Sequence, residues 1–319
     1  MDAALQHVEH ACALLQSDPM GAGQILLALR NDPEAVSIAR HVLEHSSMPA
    51  AHFHATGLLQ AALLGRWTEL PLDERAAARN YLATLLLTHG DRYASFVTSQ
   101  LLQTFAVLWK RGWAEEGPEG KTHFFQQVQA LTQQAQQQQQ QNGNGGGGAA
   151  AAGQDKIVLA SKFLLALVGE FSTAKSAALG LPLEFHRQAH KAFETYGLLP
   201  CLELGIGMMA GVVEGVLGVT ASEGGGGGAA AAAAAGGGEA AAVMLGRLDA
   251  VVQLCVEILS WDFGGFDPLH EPSSTAPSFI SPPITWRPFL LKLELLEALI
   301  EVYIRIRSFP ASGPQQQKQ

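Results

Sequence analysis

The stretch Arg92–Trp113, RYASFVTSQLLQTFAVLWKRGW, decides how this chain folds. Ala94, Val97, Leu101, Phe105 and Leu108 recur at three- and four-residue steps and share one face of a helix. Arg92, Ser99, Gln103 and Lys110 fall on the opposite face. Such a helix packs on one side and keeps a polar strip on the other. The run before it, 72–89, offers Tyr81, Leu82, Leu85 and Leu86 as packing partners. That run is itself preceded by Arg66-Trp67-Thr68-Glu69, which matches Gly112-Trp113-Ala114-Glu115 at the end of the quoted stretch. Trp67 and Trp113 lie 46 positions apart, with one pair of antiparallel helices between them. Two helices per ~40–47 residues is the period of HEAT and armadillo repeats. The reading is all-α: a HEAT/armadillo-like solenoid superhelix of antiparallel helix pairs. An irregular helical bundle is the alternative the period leaves open.

Outward from this unit the pattern continues. Alternating strand-type runs are nearly absent, and helical periodicity predicts helices near 2–16, 21–30, 33–46, 50–66, 72–89, 92–112, 121–138, 155–171, 182–196, 200–218, 240–260 and 286–307. Breakers separate them at Asp18-Pro19, Asp32-Pro33, Met48-Pro49, Leu70-Pro71, Gly90-Asp91, Gly117-Pro118 and Leu199-Pro200. Pro33 and Pro71 suit the first turn of a helix, where the missing N–H costs nothing.

Low-complexity tracts interrupt the array. Gln133–Gln141 runs into Asn142–Gly153, Gly224–Gly238 alternates Gly and Ala blocks, and Gln315–Gln319 is polar. Gly-rich runs do not repay their ordering entropy and read as loops, whereas poly-Gln can extend the helix before it. Solenoids accept insertions at helix connections. The organisation expected is therefore helical repeats over 1–132, a Gln/Gly/Ala-rich insertion over 133–154, repeats over 155–220, a Gly/Ala-rich insertion over 221–239, repeats over 240–309 and a polar tail over 310–319. Inter-domain linkers are the other reading of the tracts. Asp267–Pro283 reads as a loop before the last helix.

Composition narrows the function. The chain has 319 residues, 15% of them charged, and a net charge of -9 with no basic run. That argues against a nucleic-acid-binding surface, which needs clustered Lys and Arg. Cys12, Cys201 and Cys255 are far apart and show no metal or disulfide spacing, which suits reduced thiols. The N-terminus lacks the basic region of a signal peptide. Leu198–Thr220 is apolar and long enough to span a bilayer, but Pro200, Glu203 and Glu214 oppose that, and a buried helix is the better reading.

Catalytic signals fail one by one. His41/His45 and His186/His190 have i,i+4 spacing, but Val42 and Arg187 stand where a zinc protease needs Glu, so these read as surface histidines. No GxSxG turn exists, and Gly143–Gly148 lacks the Lys-Ser/Thr ending of a phosphate loop. Cys201 and Cys255 sit in apolar surroundings, and Glu115-Glu116 follows a helix end and reads as solvated. The chain is expected not to be an enzyme and to need no metal or cofactor.

Several phrases, however, carry a resemblance. They are Ala39-Arg40-His41-Val42-Leu43-Glu44, Phe53-His54-Ala55-Thr56, Val107-Leu108-Trp109-Lys110-Arg111-Gly112-Trp113, Leu167-Val168-Gly169-Glu170-Phe171-Ser172, Gly180-Leu181-Pro182-Leu183-Glu184-Phe185-His186, Ile258-Leu259-Ser260-Trp261-Asp262-Phe263 and Trp286-Arg287. In this order they resemble the N-terminal repeats of nuclear export receptors of the importin-β/karyopherin family. Within it they are most similar to the exportin-4 branch; the exportin-7 group has a similar start. Family members are much longer superhelices, and the low-complexity tracts are not part of their pattern.

The resemblance implies a receptor that binds protein cargo together with the small GTPase Ran in its GTP form. It implies crossing the pore through phenylalanine-glycine repeat nucleoporins, and shuttling between nucleus and cytoplasm. The exportin-4 branch implies the hypusine-containing translation factor 5A as one cargo, and neither nucleic acid nor membrane is an expected partner. If the second helix of each pair lines the concave side, Gln60, Ser99, Gln103 and Lys110 face the cavity as Ran or cargo contacts. A short helical adaptor without transport activity is the alternative function.

Overall fold

The computed structural model describes residues 1–142, 155–172, 181–222, 230–263 and 282–291, with positions 297, 300, 301, 303 and 304. Among the described residues the regular structure is entirely helical. In chain order the helices are α1 (Asp2–Leu14), α2 (Pro19–Arg30), α3 (Ala35–His45), α4 (Pro49–Gly65), α5 (Leu72–His89), α6 (Ser95–Gly112), α7 (Pro118–Asn142), α8 (Lys156–Ser172), α9 (Leu183–Tyr196), α10 (Leu198–Ser222), α11 (Ala230–Leu259) and the short α12 (Arg287–Leu290). Single 3₁₀ turns, Gly90–Arg92 and Ile284–Trp286, lead towards α6 and into α12.

The packing order settles the architecture. Neighbours pair as α1 with α2, α3 with α4, α5 with α6, α7 with α8, and α10 with α11. The second helices then stack in sequence, α2 on α4, α4 on α6, α6 on α8 and α8 on α11. First helices stack as α1 on α3 and α7 on α10, while α9 bridges α8 and α10. Each unit therefore buries its apolar face against the next, which is the arrangement of a HEAT-like solenoid rather than of an irregular bundle. The seam is one continuous core that runs from Val8 through Leu59, Leu101, Phe105 and Phe163 to Leu254 and Trp286.

Local sequence explains the helix starts, with two corrections. Pro19 and Pro49 occupy the first turns of α2 and α4, and the Asp18 carboxylate caps α2 by accepting from Gly21 N–H at 2.9 Å. Pro33 and Pro71, expected inside first turns, lie outside them. Glu34 is the N-cap of α3, and Pro71 itself is the extended N-cap of α5. α6 begins at Ser95 rather than Arg92, because residues 90–92 form the separate 3₁₀ turn.

Three helices run longer than the pattern predicts. α7 continues through the Gln tract to Asn142, and α10 runs on to Ser222. α11 starts at Ala230, so the Ala-rich half of the Gly224–Gly238 tract is helix instead of loop. Ala has the highest helix propensity, and an established helix propagates more easily than it nucleates. The other low-complexity residues fall largely outside the described residues, as does most of the loop expected at Asp267–Pro283. Of the helix expected at 286–307, α12 and isolated helical positions are described. No single described helix is long and apolar enough to cross a membrane. α9 and α10 pass that test as a pair bent by 50°, yet Cys201, Leu202, Met208 and Val212 of α10 are buried in the core.

Candidate interaction surface

The second helices of the pairs carry the residues singled out in the sequence. On α4, Phe53, Gly57 and Gln60 lie on the side opposite the buried Ala55, Leu59 and Leu63. On α6, Phe96, Ser99, Gln100 and Gln103 do the same opposite Leu101 and Phe105. Ser99 and Gln103 are exposed and Gln60 is half-buried. Phe53 and Phe96 remain 41% and 50% exposed, with ring centroids 5.9 Å apart.

Lys110 departs from this strip. It has the right helical phase, but its side chain is 1% exposed. Its Nζ donates to the Glu170 carbonyl at 2.6 Å and lies 3.7 Å from Glu170 Oε1. Gln103 Nε2 donates to the other carboxylate oxygen of Glu170 at 3.2 Å. Phase gives the direction of a side chain but not what covers it, and here α8 does. Burial lowers the Lys110 pKa to about 8, against the pull of Glu170 that raises it. His186, fully buried nearby, is held below its ordinary value first by burial and then by the charges of Lys110 and Arg111.

The phrase around Lys110 is thus a structural junction. Arg111 reaches the Leu64 carbonyl at the end of α4, at 3.4 Å. Gly112 leaves room for the Arg79 guanidinium, into which any added Cβ would run. Trp113 packs edge-on to Phe171 at 5.3 Å and against Phe193 at 5.1 Å. Phe171 and Phe193 stack at 4.2 Å, Phe193 meets Trp261 at 5.8 Å, and His190 stacks on Trp261 at 4.1 Å. One aromatic row therefore links α6, α8, α9 and the end of α11.

Several polar residues also differ from expectation. Glu115 and Glu116, read as solvated, are ion-paired to Arg75 and Arg79, and Arg75 lies over the Trp67 ring at 5.6 Å. His186 and His190, read as surface histidines, are buried, and so is His52. His52 bonds to the Ser46 carbonyl at 2.9 Å, and His190 bonds to the carbonyls of Phe171 and Asp262 at 3.2 Å each. Local pattern places polar residues towards water, whereas tertiary contacts bury these and supply their hydrogen bonds. His41 and His45 stack on one another at 4.2 Å, and among the described residues no cluster of three or more metal-type ligands forms. The three cysteines are buried, and burial pushes the Cys255 thiol up to about 11.

Fold and surface together define a class: an all-α HEAT-like solenoid presenting an open face of mixed polar and aromatic side chains on its second helices. Comparison with known proteins narrows it. No family model matches the chain. Over 97 residues it is 34% identical to Exportin-7-B of Xenopus laevis, a stretch covering 30% of this chain and 9% of that protein. It is 25% identical over 107 residues to Exportin-1 of Schizosaccharomyces pombe (strain 972 / ATCC 24843), covering 31% and 10%. It is 29% identical over 80 residues to Protein EXPORTIN 1B of Arabidopsis thaliana, covering 25% and 7%. The matched stretches therefore span a tenth or less of these relatives, and they support the exportin/karyopherin family at the level of the family alone.

Proposed function

We propose that this chain is a segment of a nuclear export receptor of the exportin-4 branch that binds Ran in its GTP form together with protein cargo. The observation that carries the reading is a stretch of similarity to exportins in a chain whose helices stack as a HEAT-like solenoid. A solenoid buries its core between repeats and leaves the outward faces of its second helices free for a partner. On this reading the half-buried Gln60 and the exposed Ser99 and Gln103 contribute to the face that meets Ran or cargo, and Lys110 acts from below through Glu170. Cargo includes the hypusine-containing translation factor 5A, passage uses phenylalanine-glycine repeat nucleoporins, and the protein shuttles between nucleus and cytoplasm. No catalytic step, metal or cofactor is part of the proposed role.

The test is binding of the purified chain to Ran loaded with a non-hydrolysable GTP analogue or with GDP. Selective retention of the GTP form is expected, with a loss of at least about tenfold in affinity on changing Gln60, Ser99 and Gln103 to Ala together. Equal binding to both nucleotide forms, or none, would refute the receptor reading and favour a helical adaptor.

A further inference from the structure

Beside the polar strip lies a groove that the proposed role does not use. It is a cavity of about 330 Å³ between α2 and α4, with Val8 of α1 and Gln100 of α6 also in its lining. Its walls are apolar: Leu26 and Leu27 from α2, Phe53 and Leu58 from α4. Two glycines hollow it out. Gly23 lies on α2 with open space where a Cβ would stand, and at Gly57 a Cβ would meet only the Gln100 amide, at 3.6 Å. Glycine in a helix interior costs about 1 kcal/mol relative to alanine, so two of them facing one slot weaken both helices to keep it open. A volume at the low end for ligand pockets suits two bulky side chains of a peptide rather than a cofactor.

Polar groups define what would fit. Arg30 is exposed, lines the groove, and makes no ion pair among the described residues. No carboxylate lines the groove, and burial favours the neutral form of His54, so Arg30 gives the site its charge. Gln100 turns its Nε2 towards Gly57, 3.6 Å from where a Cβ would stand, while its Oε1 is buried away from the groove. The amide N–H is therefore the Gln100 group that a peptide can reach, and a peptide carbonyl would accept from it.

We propose that this groove docks a peptide segment of a protein partner in which two bulky apolar residues stand next to an acidic one. The apolar side chains enter over Gly23 and Gly57, the carboxylate meets Arg30, and a backbone carbonyl accepts from the Gln100 amide. The site lies next to the Ran or cargo face proposed above but does not depend on it, since a peptide can occupy the groove whether or not Ran binds.

The test is fluorescence anisotropy of the full chain with a fluorescein-labelled synthetic peptide carrying two leucines four residues apart followed by Asp-Glu. Two control peptides carry Lys-Lys in place of Asp-Glu, or a neutral Phe-Gly repeat. Saturable binding of the acidic peptide is expected, at least about tenfold tighter than either control. Gly23→Leu should abolish it by filling the slot, while the variant melts no lower than wild type because a Cβ there meets nothing within 4 Å and leucine favours helix over glycine. Arg30→Glu should transfer the preference to the Lys-Lys peptide. Undiminished binding by Gly23→Leu, equal binding of the Phe-Gly control, or no saturable binding of the acidic peptide to wild type would each overturn the proposal.

Discussion

Lys110, Arg111, Gly112 and Trp113 stand side by side in the sequence and reach different neighbours: Glu170 of α8, the Leu64 carbonyl of α4, Arg79 of α5, and Phe171 with Phe193. The phrase therefore serves packing before it serves any ligand. Gly112→Ala tests it. Alanine adds about 1 kcal/mol of helix propensity. It also displaces Arg79, whose side chain is 3% exposed and paired with Glu115 and Glu116. The loss should win, with a net destabilisation of about 1–2 kcal/mol in chemical unfolding. In an Arg79→Ala background the same change should stabilise; a matching sign in both backgrounds would show that Gly112 does not serve Arg79.

Lys110 makes a second prediction at this scale. Its folded pKa of about 8 lies below its ordinary 10.5. Between those values the unfolded chain holds more protons than the folded one. This group therefore adds stability as pH rises through the window and withdraws it as pH falls towards 8. The buried thiols of Cys12, Cys201 and Cys255 act in the opposite sense above their ordinary value, because burial raises them. A comparison with Lys110→Met/Glu170→Gln removes that background. The stability of wild type minus variant should grow by on the order of 1–3 kcal/mol between about pH 7.5 and about pH 10; a flat difference would mean that Lys110 is not desolvated.

Among elements, α5 was legible to the residue, because Leu72 to His89 is bounded by Pro71 and Gly90 and has an unbroken period. The starts of α2 and α4 are less so, since a proline that separates helices in the pattern opens the helix in the structure. α11 shows the limit of composition as a guide: the glycines of its Gly/Ala tract point to a loop, whereas the alanines carry the helix back to Ala230. Gly236, Gly237 and Gly238 should be its weakest turn, at about 1 kcal/mol each relative to alanine. Replacing all three by alanine should raise far-UV helicity and slow amide exchange across 230–238 by at least about tenfold, with exchange in α3–α6 unchanged. Unaltered exchange would mean that these glycines do not limit the helix.

For the whole molecule, nearest-neighbour stacking makes stability a sum of unit and interface terms. The aromatic row through Trp113, Phe171, Phe193 and Trp261 is the interface that couples α6 to α9 and the end of α11. Phe171→Ala should cost about 3–5 kcal/mol and break that coupling. Hydrogen exchange should then show α9–α11 opening while α3–α5 keep their protection. Uniform loss across the chain would indicate one indivisible core instead of a row of units.

The sequence by itself determined the helical class, the pairing period and the apolar face of each helix, because those follow from local periodicity and from the placement of proline and glycine. It also pointed to Ser99 and Gln103 as positions turned away from the core, since helical phase fixes direction. Tertiary structure alone decided that Lys110, His52, His186 and His190 are buried, that Glu115 and Glu116 are ion-paired, and that Gly23 and Gly57 open one groove. Each of those depends on which distant helix arrives at that spot, and a one-dimensional pattern carries no term for the neighbour that covers a face.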